Sequence, residues 1–514
     1  MRRGVAFACR CAAVVAVVVG TVVASAAPLY KVELVQVVHR HGARSALVDD
    51  NHTLICGTEF PCGFLNREGQ AMLVNFGKYL HHRYTEDPAV VAERFFPYDS
   101  YNLSISYTRS TDVLRTLQSA NGLLQGLFPD APAFFPAIHT VDNAVDVQLH
   151  SSMVPVIRAR YNYAEQEVRD VCDPVVDSRM SFDQLLAVAA EVHSLDYCAD
   201  FKLRSRCAER LCDIAHAYES TGQIAAYPHL SQHLEDVCAV TATSSHFYFA
   251  FNSTNPVHQK QGAPYYHLSR LLVDNMLAHQ DSATAPSYKL YEYSAHDTTI
   301  SPLAALFGDS SLEAMLPPFG TAFIVELLSR TDAPSAAASY YVRLLRGHPG
   351  VTPSSNFTFA LSHFDMRCKD TTGATYVAAD NVCPFADFKR FVDSTAPTSP
   401  MGTCYIDPGL AGRMDCPVDA VGDTRPLSAD CLFYRQYCGK YACGTGYYLN
   451  AVDYGCYRIP ATTPAPTPSG MSSGGIAALS IALFIAGGAA SLGGMELWKR
   501  YRKTKSEQAE AFIE

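Results

Sequence analysis

Val32-Glu-Leu-Val-Gln-Val-Val38 runs directly into His39-Arg40-His41-Gly42-Ala43-Arg44. The first segment is β-rich and the second is a basic loop at the strand's carboxyl end. Gly42 permits a tight turn there. Open α/β sheets bind ligands at this edge. Two arginines flanking a histidine suit a phosphate. Guanidinium is planar, always charged and holds two oxygens at once. A neutral imidazole beside them can attack phosphorus. His39 competes with His41 for that role, but it precedes the glycine by three residues and reads as strand. On this segment alone a basic surface loop is an equal account.

Two further stretches carry the same chemistry at the same kind of junction. Tyr293-Ser-Ala-His296-Asp297-Thr-Thr lies between a strand at Tyr288–Tyr293 and a helix at Leu303–Phe307. It places an acid beside an imidazole at a helix start. Arg109-Ser110-Thr111-Asp112 leads to Arg115, between a short strand at Asn102–Tyr107 and a helix at Asp112–Leu127. Ser110 or Thr111 is expected to cap that helix, with Asp112 in its first turn. Capping explains Ser-Thr-Asp but not the two arginines. Three junctions bearing Arg, His and Asp make one phosphate site the simpler account.

The surrounding sequence alternates strand-like and helix-like segments, which argues for an α/β sheet. Arg67–Tyr84 has Met72, Leu73, Phe76 and Leu80 at helical spacing. Residues 130–265 are helical in pattern and hold five cysteines, so they read as an α-rich lobe inserted into the sheet domain. The domain as a whole is expected to occupy 27–400. Cys404, Cys416, Cys431, Cys438, Cys443 and Cys456 crowd residues 401–458, which read as a small disulfide-held appendage. A Pro/Thr/Ser-rich stalk follows at 459–473.

With 514 residues, 48% of them hydrophobic, the chain builds a sizeable core and is neither disordered nor fibrous. Its net charge of −10 argues against a nucleic-acid partner. Met1-Arg2-Arg3, the apolar Val14–Val23 and Ala24-Ser25-Ala26 have the order of a secretory signal, 1–26. Gly474–Met495 carries no charge and reaches about 33 Å as a helix. Lys499, Arg500, Arg502, Lys503 and Lys505 follow, so 496–514 reads as a cytoplasmic tail. The expected arrangement is a single-pass type I membrane protein with a lumenal or extracellular enzyme domain, at the cell surface or in endosomes or lysosomes. Removing Cys9 and Cys11 with the signal leaves fifteen of the 17 cysteines, an odd number, so at least one lacks a partner within the chain. Sequons at Asn51, Asn102, Asn252 and Asn356 fit a glycoprotein.

Together the three junctions resemble the histidine acid phosphatases, branch 2 of the histidine phosphatase superfamily. The family's Arg-His-Gly-x-Arg-x-Pro motif is matched by Arg40-His41-Gly42-Ala43-Arg44-Ser45-Ala46. Arg-Ser-Thr-Asp-x-x-Arg is matched by Arg109–Arg115, and His-Asp by His296-Asp297. Gly69, Gly77 and Arg83-Tyr84 also fit the pattern. The likeness covers about 29–395, and the membrane-bound acid phosphatases, lysosomal or trypanosomatid, resemble it most. Ala46 stands where the family has proline, a change expected to loosen the loop modestly. The resemblance implies a phosphoglycerate-mutase-like α/β core with an inserted α-rich lobe. It implies His41 as nucleophile, Asp297 as acid and base, and Arg40, Arg44, Arg115 and His296 as phosphate ligands. No metal or cofactor is implied, family members are often dimers, and small phosphomonoesters are the expected substrates, hydrolysed at acidic pH.

Other readings fit less well. Cys198-Ala-Asp-Phe-Lys-Leu-Arg204 has tyrosine-phosphatase spacing but no glycine to wrap a phosphate. There is no His-Glu-x-x-His or other compact ligand cluster for a metal. A non-catalytic surface glycoprotein on the same fold would be free to lose His41, Asp297 or an arginine, and all are present. A specialised phytase or lipid phosphatase remains an alternative, because substrate choice lies in the inserted lobe.

Overall fold

The computed structural model describes residues 29–48, 52–130, 136–193, 196–281, 288–332, 340–417 and 426–459. The chain divides into two units. The first is Met1–Gly444 with Leu449–Cys456, and the second is Thr445–Tyr448 with Tyr457–Glu514. In the second, the Tyr448 and Tyr457 rings lie 6.1 Å apart.

The strands of the first unit are β1 (Tyr30–Arg40), β2 (Ser106–Ser110), β3 (Ile138–His139), β4 (Leu290–Ala295), β5 (Ala322–Arg330), β6 (Tyr340–Pro349), β7 (Phe359–Ser362), β8 (Arg367–Lys369), β9 (Thr375–Val377) and β10 (Val382–Pro384). The main sheet has the order β10-β6-β5-β1-β4-β2-β3, with β7 on β6. β1, β4, β2 and β3 are parallel, whereas β5 and β6 run antiparallel to their neighbours. β1 is buried along nearly its whole length, as a central strand covered on both faces should be. The expected α/β class therefore holds, with an antiparallel half.

The register sets the site. His39 pairs with Ser294, and Ser110 also pairs with Ser294, so β1, β4 and β2 end level with one another. All three strand-to-helix junctions emerge side by side at one carboxyl edge.

Helices Arg67–Thr85 and Leu114–Leu127 cover one face of the sheet. Asn66 caps the first by accepting a hydrogen bond from Gly69 N at 2.8 Å. Met72, Leu73, Phe76, Leu80 and Tyr84 form its buried stripe, as the spacing predicts. On the other face lie the helices Tyr266–Gln280 and Asp297–Leu306. The inserted lobe is helical, including Glu165–Arg179, Phe182–Glu191, Arg204–Thr221 and Leu234–Phe249. Disulfides Cys198–Cys207 and Cys212–Cys238 tie it together. Cys172 is buried and is the free cysteine among the described residues. Cys198 is thus not a thiolate nucleophile.

Within 401–444 the helix Ala429–Tyr437 is held by Cys404–Cys438 and Cys416–Cys431. Asp430 fixes it to the Pro155–Tyr163 helix by bonds to Arg158 (2.8 Å), Asn162 (2.9 Å) and Tyr163 (3.0 Å). Among the described residues no helix is long and apolar enough to cross a membrane. The expected signal, the stalk beyond residue 459, the 474–495 span and the tail lie outside the described residues, as does Asn51.

Three local expectations are corrected. The strand expected at Asn102–Tyr107 is β2, Ser106–Ser110, while Asn102 forms a turn, its side chain accepting from Ser104 N at 2.8 Å. The following helix starts at Leu114, not Asp112, and neither Ser110 nor Thr111 caps it; its N-cap is Val113, with no side-chain bond. The Thr111 hydroxyl meets His296 instead, at 3.0 Å, and Ser110 Oγ donates to Thr111 O at 2.8 Å. Gly42 supplies close approach rather than a special turn conformation: it is not among the positive-φ glycines. A Cβ on it would lie 2.2 Å from Gly69 O, so the loop and the Arg67–Thr85 helix meet backbone to backbone.

Candidate active site

The six residues expected to act, Arg40, His41, Arg44, Arg115, His296 and Asp297, converge at the shared strand edge. His41 N donates to Ala295 O at 3.0 Å, and Gly320 N donates to His41 O at 3.0 Å. Gly42 N donates to Ser119 Oγ at 3.1 Å, anchoring the loop to the second helix. Ala46, which stands where the family has proline, lies in a pinned stretch of the loop. It is buried, and Ser45 N→Phe64 O and Gly63 N→Ala46 O, both 3.0 Å, pin its surroundings beside the Cys56–Cys62 disulfide.

The His41 ring is buried, with Nδ1 2.8 Å from Gly42 O. A carbonyl only accepts, so Nδ1 carries the proton and Nε2 keeps its lone pair. Burial first, then the charges of Arg115, Arg40 and Arg44, push the His41 pKa well below its ordinary value. The shift favours the neutral, nucleophilic form of the imidazole.

His39 is set apart from the chemistry. It lies within β1, fully buried, with Nε2 3.1 Å from Glu292 Oε1 and Nδ1 3.0 Å from Arg40 O. It holds the backbone of its neighbour.

Three guanidiniums surround His41. Arg40 Nη1 donates to Pro317 O at 2.6 Å, and Arg40 Nη2 pairs with Asp297 Oδ2 at 2.7 Å. Its guanidinium lies 4.3 Å from the Phe319 ring centre, and that of Arg44 lies 5.6 Å from the same ring. Arg115 Nη2 donates to His296 Nδ1 at 3.4 Å. His296 Nε2 must then carry the proton, which it gives to Thr111 Oγ1 at 3.0 Å. Thr111 in turn bonds Thr116 Oγ1 at 2.8 Å. Burial, then the repulsion of Arg44 and Arg40, lowers the Arg115 pKa to about 10. Among the described residues, the buried Nε atoms of Arg40, Arg44 and Arg115 have no hydrogen-bond partner. Crowded cations with donors to spare are relieved by a tetrahedral oxyanion.

Asp297 opens the helix Asp297–Leu306 and stays about a third exposed (32%). Burial alone would raise its pKa. The attraction of Arg40, then Arg44 and His296, with the Thr298 N–H, outweighs that and brings it down to about 2.

Asp213, Phe319 and His150 were not legible from the sequence. Asp213, on the lobe helix Arg204–Thr221, grips Arg44 with two bonds of 2.7 and 3.2 Å and accepts Leu47 N at 2.6 Å. It lies 169 residues from Arg44 along the chain, and nothing local marks it. His150 stacks edge-on to His296 at 5.5 Å. Arg109, the other motif arginine, is spent on Asp146 at 2.6 Å and on Gln148. The Cys212, His216 and Cys238 ligand atoms are close together, but the two cysteines are joined as a disulfide.

Residues 31–346 match the histidine phosphatase superfamily (branch 2). Among curated relatives, prostatic acid phosphatase of Bos taurus is 26% identical over 344 residues, covering 63% of this chain and 82% of its own. Lysophosphatidic acid phosphatase type 6 of Homo sapiens is 25% identical over 402 residues, covering 66% and 84%. Lysosomal acid phosphatase of Xenopus laevis is 26% identical over 348 residues, covering 64% and 73%. The chain belongs to the histidine phosphatase superfamily, branch 2, and is an enzyme that hydrolyses phosphate monoesters.

Proposed function

We propose that the chain is an acid phosphatase working through a phosphohistidine on His41. The carrying observation is the His41 Nδ1–Gly42 O bond of 2.8 Å, which leaves Nε2 as a neutral nucleophile inside a ring of arginines. Arg40, Arg44 and Arg115 bind the phosphate oxygens. The substrate's negative charge favours a proton on His296 Nδ1, which then donates to the phosphate as Arg115 turns toward it. Nε2 attacks phosphorus in line, forming the N–P bond as the P–O bond to the alcohol breaks. The protonated Asp297 carboxyl gives its proton to the leaving oxygen. Its carboxylate then takes a proton from water as that water attacks phosphorus, releasing phosphate and free His41. The three guanidiniums stabilise the equatorial charge in both steps.

The compartment belongs to the same proposal. The seven disulfides among the described residues suit an oxidising lumen. The signal-like start, the uncharged 474–495 stretch and the basic run after it support a type I membrane anchor. Cell surface, endosome and lysosome all fit. Asn252 and Asn356 are exposed, as glycosylation requires.

The test is p-nitrophenyl phosphate hydrolysis with chelator present, from acid to alkaline pH, beside His41→Ala and Asp297→Asn. Chelator-resistant activity in the acid range, lost in His41→Ala, is the expected result. An alkaline optimum, or activity surviving His41→Ala, overturns the reading.

A further inference from the structure

The His296 ring is held both at its nitrogens and by other rings. Nδ1 meets Arg115 and Nε2 meets Thr111. The His41 ring lies 5.7 Å from it at 72°, and the His150 ring 5.5 Å from it at 63°, both edge to face. In the proposed reaction Arg115 turns from His296 to the phosphate. The ring thus loses its protein hydrogen bond at Nδ1 just as that atom must meet a phosphate oxygen. Of the two ring contacts, His41 is the reacting nucleophile. His150 takes no part in the bond changes, so its contact persists through them.

The stretch that carries His150 is tied down on two sides. His150 Nδ1 lies 2.8 Å from Ser152 Oγ, and its backbone N donates to Asp146 O at 3.1 Å. Asp146 Oδ1 accepts from Arg109 Nη2 at 2.6 Å, from Gln148 N at 3.2 Å and from Leu149 N at 3.1 Å. Leu149 O accepts from Thr299 Oγ1 at 2.6 Å, and Thr299 Oγ1 accepts from His296 N at 3.3 Å. The stretch is therefore bound to Arg109 near the end of β2 and to the first turn of the helix Asp297–Leu306. Burial lowers the His150 pKa, Asp146 opposes this and Arg115 adds to it, leaving it below the ordinary value. That favours a neutral ring, which brings no further cation to Arg115 and His296.

We infer that His150 is a positioning residue: its ring, packed on His296, keeps that imidazole in place for the phosphate while Arg115 moves. This rests on the phosphohistidine reading and adds a residue to it. The role asks for a flat ring at this position and not for a nitrogen in it.

The test is a double-mutant cycle on the full chain, read by kcat/KM for p-nitrophenyl phosphate and by calorimetric binding of inorganic phosphate. His150→Ala is expected to weaken both by about tenfold when His296 is present, and by less than about twofold in the His296→Ala background. His150→Phe, which keeps a ring and loses both nitrogens, is expected to stay within about threefold of wild type. Ser152→Ala releases the His150 ring and is expected to weaken both by about threefold, so it carries the cycle should His150→Ala not fold. Equal losses in the two backgrounds, or no loss in His150→Ala, overturn the inference. So does His150→Phe as poor as His150→Ala, because a ring nitrogen would then act on the substrate directly. Each of these leaves the phosphatase reading intact. Hydrolysis undiminished by His41→Ala overturns both.

Discussion

Arg40 Nη2 lies 2.7 Å from Asp297 Oδ2. The arginine proposed to bind the phosphate and the carboxyl proposed to serve the leaving group thus hold each other. An arriving phosphate competes with Asp297 for Arg40 and brings negative charge of its own. Both effects raise the Asp297 pKa from about 2 toward the ordinary carboxylate range. In the proposed mechanism, substrate binding therefore creates the acid that the first step uses.

For an alkyl phosphate, kcat is accordingly expected to fall as pH rises through a pKa above about 4. Asp297→Asn removes that limb and lowers kcat by about a hundred- to a thousandfold. Steady-state pH profiles of the two proteins check it. A limb unchanged in Asp297→Asn contradicts the assignment.

Asp213 crosses from the lobe to hold Arg44, which is buried. Burial pushes the Asp213 pKa up, but Arg44 and the Leu47 N–H outweigh it and leave it below the usual value. A depressed carboxyl stabilises the fold above its unfolded pKa, and this stability is lost as pH falls through the folded value. Asp213→Asn is expected to cost about 3 kcal/mol near neutrality. It is also expected to flatten the loss of stability below about pH 4. Denaturant titrations at several pH values measure both, and a raised KM is expected to accompany them.

A methyl group at Gly42 meets the Gly69 carbonyl at 2.2 Å. Both partners are backbone, so neither yields by a rotamer change. Gly42→Ala is expected to destabilise by about 3 kcal/mol and to displace His41, depressing kcat at all pH values. A melting temperature equal to wild type contradicts the close-packing account.

Most of the site was readable because its residues sit in short runs beside strand ends. β1, the Arg67–Thr85 helix and the His296-Asp297 junction follow from local pattern, and register alone brings them level. What escaped was set by distance. Asp213 and Phe319 touch the arginines across 169 and 279 or 275 residues, which periodicity does not report. The β2 boundary failed for another reason: Asn102 spends its side chain on a turn, so the apolar residues after it start the strand late. Thr111 looked like a helix cap because capping and binding use the same hydroxyl. Tertiary contact with His296 decides between them.

The most direct test of the central claim is a rapid-mix experiment with radiolabelled substrate at pH 5, quenched in base to preserve a phosphorus–nitrogen bond. Label bound to wild-type protein, stable in alkali, labile in acid, mapping to the peptide containing His41 and absent from His41→Ala, is the predicted result. Turnover with no protein-bound label at any time, or label on another residue, would contradict it.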